Sequence, residues 1–222
     1  MLIYRLHTEE DLVVKRSHCP HCNHSLGVAD LIPVIGFLLL RGRCRYCGKK
    51  ISWQYPLIEL LTGVLFFVFA YELIPQKLEL LTSDHLWELA FYLIMTSVLI
   101  VVFVYDLKHY LILNAVTYPA IVVALLFDVF FFQVPLRNLG LGLLLGAGFF
   151  FVLVVVSRER WMGWGDVKLG VLLALIRPWP GILTVFVLSY MVGAVVALVM
   201  ILTKRKTTKD VLPFGTFLAA AT

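Results

Sequence analysis

The sequence predicts an all-α polytopic membrane protein, a bundle of about six transmembrane helices with a small N-terminal cytoplasmic zinc-ribbon-like region. Three observations predict it. The 222 residues are 61% hydrophobic and 14% aromatic, with a mean hydropathy of +0.92, whereas soluble domains are about 45–50% apolar. Apolar runs at 57–75, 86–105, 111–132, 139–157 and 182–203 each approach the length of a span, which is roughly 20 residues. All four cysteines fall within the first 56 residues, as two Cys-x-x-Cys pairs.

A shorter apolar stretch, 168–176, makes the sixth helix. It ends in Arg177-Pro178-Trp179-Pro180-Gly181, which reads as a tight turn into the next span. Loop charge orients the helices. With 1–56, 106–110, 158–168 and 204–210 inside, the inner loops hold 16 of the 19 Lys and Arg residues, leaving Lys77, Arg137 and Arg177 outside. That is the positive-inside pattern. The net charge of +5 is therefore accounted for by topology and calls for no nucleic acid. Two regions follow: a cytoplasmic four-cysteine region at 1–56 and a transmembrane bundle at 57–222. The opening MLIYRLHTEEDLVVKR lacks the charged start and apolar core of a cleavable signal peptide.

Cys19-Pro-His-Cys22 and Cys44-Arg-Tyr-Cys47 stand 21 residues apart. Each knuckle offers two thiolates from one tight turn, so together they suit one tetrahedral zinc. Asn23 and Gly48, just after each pair, suit the turns. A cytoplasmic setting keeps thiols reduced and disfavours disulfides. His18, His21 and His24 read as surface residues beside four better ligands. A closed four-cysteine site has no open position, so its zinc is expected to be structural.

Catalysis is then expected among acidic residues at membrane depth. Glu72, Glu88 and Asp128 lie toward the outer face, where a solvated helix end accounts for them, and Glu59 lies near the start of the first span. Asp106 and Asp166 differ. Asp106 follows an apolar run as it emerges on the inner side, and Asp166 precedes a run that enters from that side. Opposite chain directions place both carboxylates at one depth. Two carboxylates close together in a low-dielectric pocket cannot both ionise cheaply, so they share a proton. Such a pair can hold a water, take its proton and protonate a leaving amine, as in aspartic proteolysis. Gly163 and Gly165 are expected to let a peptide backbone approach Asp166 and to permit positive φ. Lys168 and Lys108 read first as positive-inside residues and second as modulators of the pair. Gly140, Gly142, Gly146, Ala147, Gly148, Gly193 and Ala194 are expected to allow close helix packing.

These residues resemble the type IV prepilin peptidases, which are bifunctional leader peptidases and N-methyltransferases of bacterial membranes. The resemblance covers nearly the whole chain. It runs through IYRL at 3–6, CPHC, the stretch 30–63, Asp106 with Ile112 and Asn114, Gly163-Trp164-Gly165-Asp166-Val167-Lys168, and Leu212-Pro213-Phe214-Gly215. It implies cleavage of prepilin and pseudopilin leaders on the cytoplasmic side of the bacterial inner membrane, with Asp106 and Asp166 as the protease residues. It also implies methylation of the new N-terminus from S-adenosylmethionine. Cys19, Cys22, Cys44 and Cys47 would hold the zinc of the methyltransferase-associated region, and Glu59 is a methyltransferase candidate. The family's first helix normally precedes IYRL and its last runs beyond the opening seen here. Ile112-Leu113 stands where Ile-Pro is usual.

Presenilin-type and archaeal preflagellin-type proteases lack the four-cysteine loop. A non-catalytic zinc-ribbon scaffold leaves the paired aspartates unused. A transporter with an aspartate proton relay would place them deeper.

Overall fold

The computed structural model describes residues 17–75, 82–204 and 212–222. The expectations for IYRL at 3–6, Lys77 and most of the basic 204–210 loop lie outside these residues. Among the described residues the regular elements are helical, apart from two isolated β-bridges. The chain divides into two compact units, Met1–Leu73 and Ile74–Thr222.

The first unit carries a 3-10 turn at Val28–Leu31, a short helix α1 (Ile35–Leu39) and a long helix α2 (Gln54–Leu73). Ser52 Oγ accepts the Gln54 N–H at 3.3 Å and so caps the start of α2. Hydropathy places a boundary at 56/57, near the start of α2, whereas the contacts place it at the end of that helix. Leu57, Leu60, Leu61, Val64, Phe67 and Val68 are all exposed on α2. An apolar helix with its side chains turned outward is suited to lipid.

The second unit comprises α3 (Ser83–His109), α4 (Asn114–Phe130), α5 (Leu136–Ser157), α6 (Trp164–Ile176), α7 (Gly181–Leu202) and α8 (Phe214–Ala221). Helices α2 to α7 therefore stand at the six expected places. Four of them, α2, α3, α5 and α7, are long and apolar enough to cross a membrane. Helix α4 is shorter than its apolar run because Leu111–Leu113 take no helical turn. Tyr110, at φ 53°, closes α3 by donating its N–H to the Asp106 carbonyl at 2.8 Å. That break sets where Asp106 sits relative to the helix end.

The shortest of the six, α6, forms the centre of the unit. Leu169, Leu172, Leu173 and Ala174 are fully buried, and α4, α5 and α8 pack around them. A helix that is apolar all round and enclosed by neighbours gains stability from packing rather than from lipid. Helix α5 meets it backbone to backbone. A Cβ on Gly146 would stand 2.6 Å from the Gly170 carbonyl oxygen, and one on Gly170 would stand 2.3 Å from that of Gly146. Around Gly146, α5 widens into a π segment, Leu144–Gly148. Gly142 is similarly close, with the Trp179 nitrogen 3.2 Å from where its Cβ would lie.

The expected glycine contacts hold only in part. Among the described residues a Cβ on Gly140 would meet nothing within 4 Å, one on Gly148 only Leu144 of its own helix, and one on Gly193 would make an ordinary contact with Phe217. Gly170, the partner of Gly146, carries no signal in its local sequence. The reading of Asp128 also needs correction, because it does not lie at a solvated helix end. It is 1% exposed, and its Oδ2 has no hydrogen-bond partner among the described residues. It borders a cavity with Glu88 and Arg177, and the Arg177 guanidinium lies over the Tyr92 ring.

Candidate active site and metal centre

Asp106 lies in the last turn of α3 and is 5% exposed. Asp166 is the third residue of α6, partly buried, and its Oδ2 accepts the N–H of the N-cap residue Gly163 at 3.3 Å. A carboxylate in the first turn suits the free N–H groups and the dipole there. Both aspartates line one cavity of about 560 Å³. Tyr110, Trp161 and Trp164 contribute aromatic surface to its wall. Trp164 is held by a hydrogen bond from Nε1 to Glu159 Oε1 at 2.7 Å.

The third participant comes from the far end of the sequence. The Thr216 N–H donates to Asp106 Oδ2 at 2.8 Å. Thr216 is the third residue of α8, so its N–H belongs to the first turn and has no partner within the helix. Its hydroxyl donates to the Pro213 carbonyl at 2.6 Å and closes that turn. Gly215 makes the approach possible, since a Cβ there would stand 2.9 Å from Asp106 Oδ2. The local signal for this element is Pro213 followed by Gly215 at a helix start. Only the fold shows that it ends on Asp106.

The expectations for Gly163 and Gly165 hold only in part. Neither adopts a positive φ; among the described glycines only Gly42 and Gly48 do. A Cβ on Gly165 would meet Ile112 Cβ at 3.3 Å, so this glycine admits the Leu111–Leu113 segment. Among the described residues no side chain stands near the missing Cβ of Gly163, which leaves that flank of Asp166 open. Lys168 lines the same cavity, donates to Asn114 Oδ1 and lies over the Tyr118 ring. It thereby ties α6 to α4. His109 packs on Tyr105 in the last turn of α3.

In the first unit the two cysteine knuckles repeat one another bond for bond. Asn23 N–H donates to the Cys19 carbonyl and Gly48 N–H to that of Cys44, each at 2.9 Å. Cys19 N–H donates to His24 and Cys44 N–H to Lys49, at 3.0 and 2.9 Å. The bridges His18–Ser25 and Arg43–Lys50 complete the match. Asn23 at φ 55° and Gly48 at φ 70° make the left-handed turns that aim each pair of thiols inward.

The four sulfurs lie within 4.8 Å of one another, and no histidine among the described residues joins the group. Cys19 and Cys47 Sγ are 3.9 Å apart, near the roughly 3.8 Å that two ligands at about 2.3 Å subtend in a tetrahedron. Burial raises the Cys19 thiol, but hydrogen bonds from the His21 and Cys22 backbones and from neighbouring thiols outweigh it and lower it to about 7. The Lys49 backbone lowers Cys47, but desolvation and the three other thiols raise it to about 11. Without a cation the cluster therefore ionises only in part. These four residues suit a divalent metal, which allows all four to be thiolates.

Residues 93–198 match the type IV leader peptidase family and contain both aspartates, while residues 1–73 match the bacterial peptidase A24 N-terminal domain and contain the four cysteines. A prepilin leader peptidase/N-methyltransferase of Aeromonas salmonicida (strain A449) is 34% identical over 215 residues, 95% of this chain and 70% of that protein. The chain belongs to the type IV leader peptidase family. Family membership makes it a membrane peptidase. A Bacillus subtilis (strain 168) relative of the same name is 31% identical over 220 residues, 94% of this chain and 80% of its own. A type 4 prepilin-like proteins leader peptide-processing enzyme of Escherichia coli O78:H11 is 33% identical over 210 residues, covering 92% and 72%. No solved structure matches the chain. The boundary between the two matched regions agrees with the division of the chain at Leu73.

Glu59, the methyltransferase candidate, sits on α2 in the first unit. Its Oε2 accepts the Val34 N–H at 2.8 Å. Val34 is at φ 60°, a strained conformation for a β-branched residue. Glu59 thus holds the corner at which α1 begins.

Proposed function

We propose that the chain cleaves the leader peptide of type IV prepilins or pseudopilins with Asp106 and Asp166 as an aspartyl dyad. We further propose that it methylates the new N-terminus from S-adenosylmethionine. The observation that carries the first part is the convergence of the two carboxylates on one cavity of about 560 Å³. A pair sharing one proton supplies both halves of the reaction. The ionised aspartate takes a proton from a water, and the oxygen adds to the scissile carbonyl carbon. The protonated aspartate supports the developing oxyanion. The C–N bond then breaks, the leaving amine takes a proton from the pair, and the carboxylic acid product departs with the leader.

The Thr216 N–H holds Oδ2 of Asp106 and limits its rotation. The open flank at Gly163 leaves room for an extended substrate backbone beside Asp166. Tyr110, Trp161 and Trp164 give the cavity aromatic surface suited to an apolar side chain of the substrate. The four-cysteine group is assigned zinc, as a closed structural centre that holds the first unit together. The names of the relatives support the methyl transfer. The expected setting is the bacterial inner membrane, with the cysteine region and dyad facing the cytoplasm. Its support is the concentration of 16 of 19 Lys and Arg residues in the loops on that side.

The test is leader cleavage of a model prepilin in membranes by the wild type, Asp106→Asn and Asp166→Asn, read by mass spectrometry of the product N-terminus. Cleavage by the wild type alone, with an added methyl group, supports both activities. Cleavage by either variant at the wild-type rate rejects the dyad and favours a scaffold or relay role for the aspartates.

A further inference from the structure

The first unit holds a second cavity, of about 180 Å³, lined in part by Cys19 and Cys44 of the metal centre. Phe37, Ile51 and Tyr55 give it apolar and aromatic walls, and Asp30, Arg45 and Glu59 are its acidic and basic side chains. The Asp30 side chain is only 4% exposed. Its Oδ2 accepts the Gly27 N–H at 3.2 Å. Among the described residues its Oδ1 accepts no hydrogen bond, and the Arg45 guanidinium forms an ion pair with it at 2.9 Å. The ion pair offsets part of the cost of burying that charge, and a ligand hydroxyl would supply the hydrogen bond the oxygen lacks. Glu59 uses one oxygen on Val34, leaving the other without a hydrogen bond from the described residues.

We propose that this cavity binds the adenosyl half of S-adenosylmethionine, with Asp30 accepting the ribose hydroxyls and Glu59 meeting the sulfonium end. The proposal rests on the methyltransferase reading above and gives that activity its site. An adenine ring fits a flat slot between apolar and aromatic side chains, which Phe37, Ile51 and Tyr55 supply. A ribose diol is recognised by an acceptor-only carboxylate, as in dinucleotide sites. The methionine end carries two positive groups and one carboxylate, which Glu59 and Arg45 complement in sign. The volume is below the roughly 300 Å³ at which pockets begin to enclose a whole drug-sized ligand. The methionine end therefore remains at the open side of the cavity, toward an incoming amine. Because Cys19 and Cys44 form part of the wall, the metal centre maintains the shape of the cavity. Glu59 acts on it as well, by holding the strained Val34 corner.

The test is equilibrium binding of S-adenosylhomocysteine to the zinc-loaded full chain in nanodiscs, together with photolabelling by an azido-adenosyl analogue. The expected result is saturable binding to the wild type, weakened about tenfold or more in Asp30→Asn at unchanged zinc content, since hydrogen bonds to a charged group are the strong ones. Label is expected within peptides 26–40 and 51–59. Binding that Asp30→Asn leaves intact, with label elsewhere, overturns the cavity assignment and leaves methyl transfer standing. A wild type that holds zinc and cleaves leader but binds no S-adenosyl ligand overturns the methyltransferase reading itself.

Discussion

The Thr216 N–H reaches Asp106 Oδ2 at 2.8 Å, joining the first turn of α8 to the last turn of α3 across 110 residues of sequence. The contact depends on Gly215, whose missing Cβ would lie 2.9 Å from the same oxygen. Gly215→Ala is therefore expected to turn the Asp106 carboxylate out of place. Misplacing a reacting group by about 1 Å can cost about a hundredfold in rate. Cleavage should fall by roughly that factor with helix content unchanged, while Thr216→Ala, which keeps the N–H, should retain most of the activity. Equal rates for Gly215→Ala and wild type would show that α8 does not position the dyad.

Asp106→Asn and Asp166→Asn should each reduce cleavage by at least about a hundredfold, the scale of general acid–base catalysis. Because the two residues act as a unit, the double variant should be little worse than either single one. Single-turnover assays on membranes check this, and multiplicative losses would argue for separate roles.

Gly170→Val should destabilise the second unit. The added atoms would collide with the Gly146 carbonyl, whose oxygen lies 2.3 Å from the Cβ position. The obstruction is backbone and cannot rotate away, so the cost should reach or exceed about 1–3 kcal/mol, as for overpacked cores. Thermal unfolding in detergent would read it as a clear fall in Tm, and an unchanged Tm would contradict the close crossing of α5 and α6.

Asp128→Asn should leave the fold intact and raise Tm. Oδ2 of Asp128 is buried with no hydrogen-bond donor among the described residues, and an amide is cheaper to bury than a carboxylate. The gain should be about 1 kcal/mol, within the spread of mutational costs for buried polar groups. A fall in Tm would reveal a partner that requires the charge.

Metal analysis of purified protein should find about one zinc per chain, the stoichiometry of a four-thiolate centre, and Cys44→Ser should lose it. Zinc binding displaces thiol protons, so affinity should weaken as pH falls and strengthen as it rises. Competition with a chromophoric chelator across pH measures this. A pH-independent affinity would mean that the thiols are not the ligands.

Much of this protein was legible in its residues. The apolar runs placed α2 to α7, because a chain in lipid must satisfy its backbone within helices. The knuckle spacing, with Asn23 and Gly48 after the pairs, foretold two matching turns whose sulfurs meet. Such signals are local and repeat within a few residues.

The roles of particular glycines were not legible. Gly163 and Gly165 looked alike in the motif, yet one leaves space open and the other admits Ile112. Gly146 was expected to pack closely, but its partner Gly170 carries no sign of the contact in its surroundings. Asp128 looked like a helix end near solvent because its neighbours in sequence do not show how α3 and α6 enclose that end. In each case the outcome depends on which backbone arrives from a distant part of the chain. Sequence periodicity records which residues avoid water. It does not record which oxygen meets a given glycine, and that is why Thr216 could be found beside Asp106 only after the helices had packed.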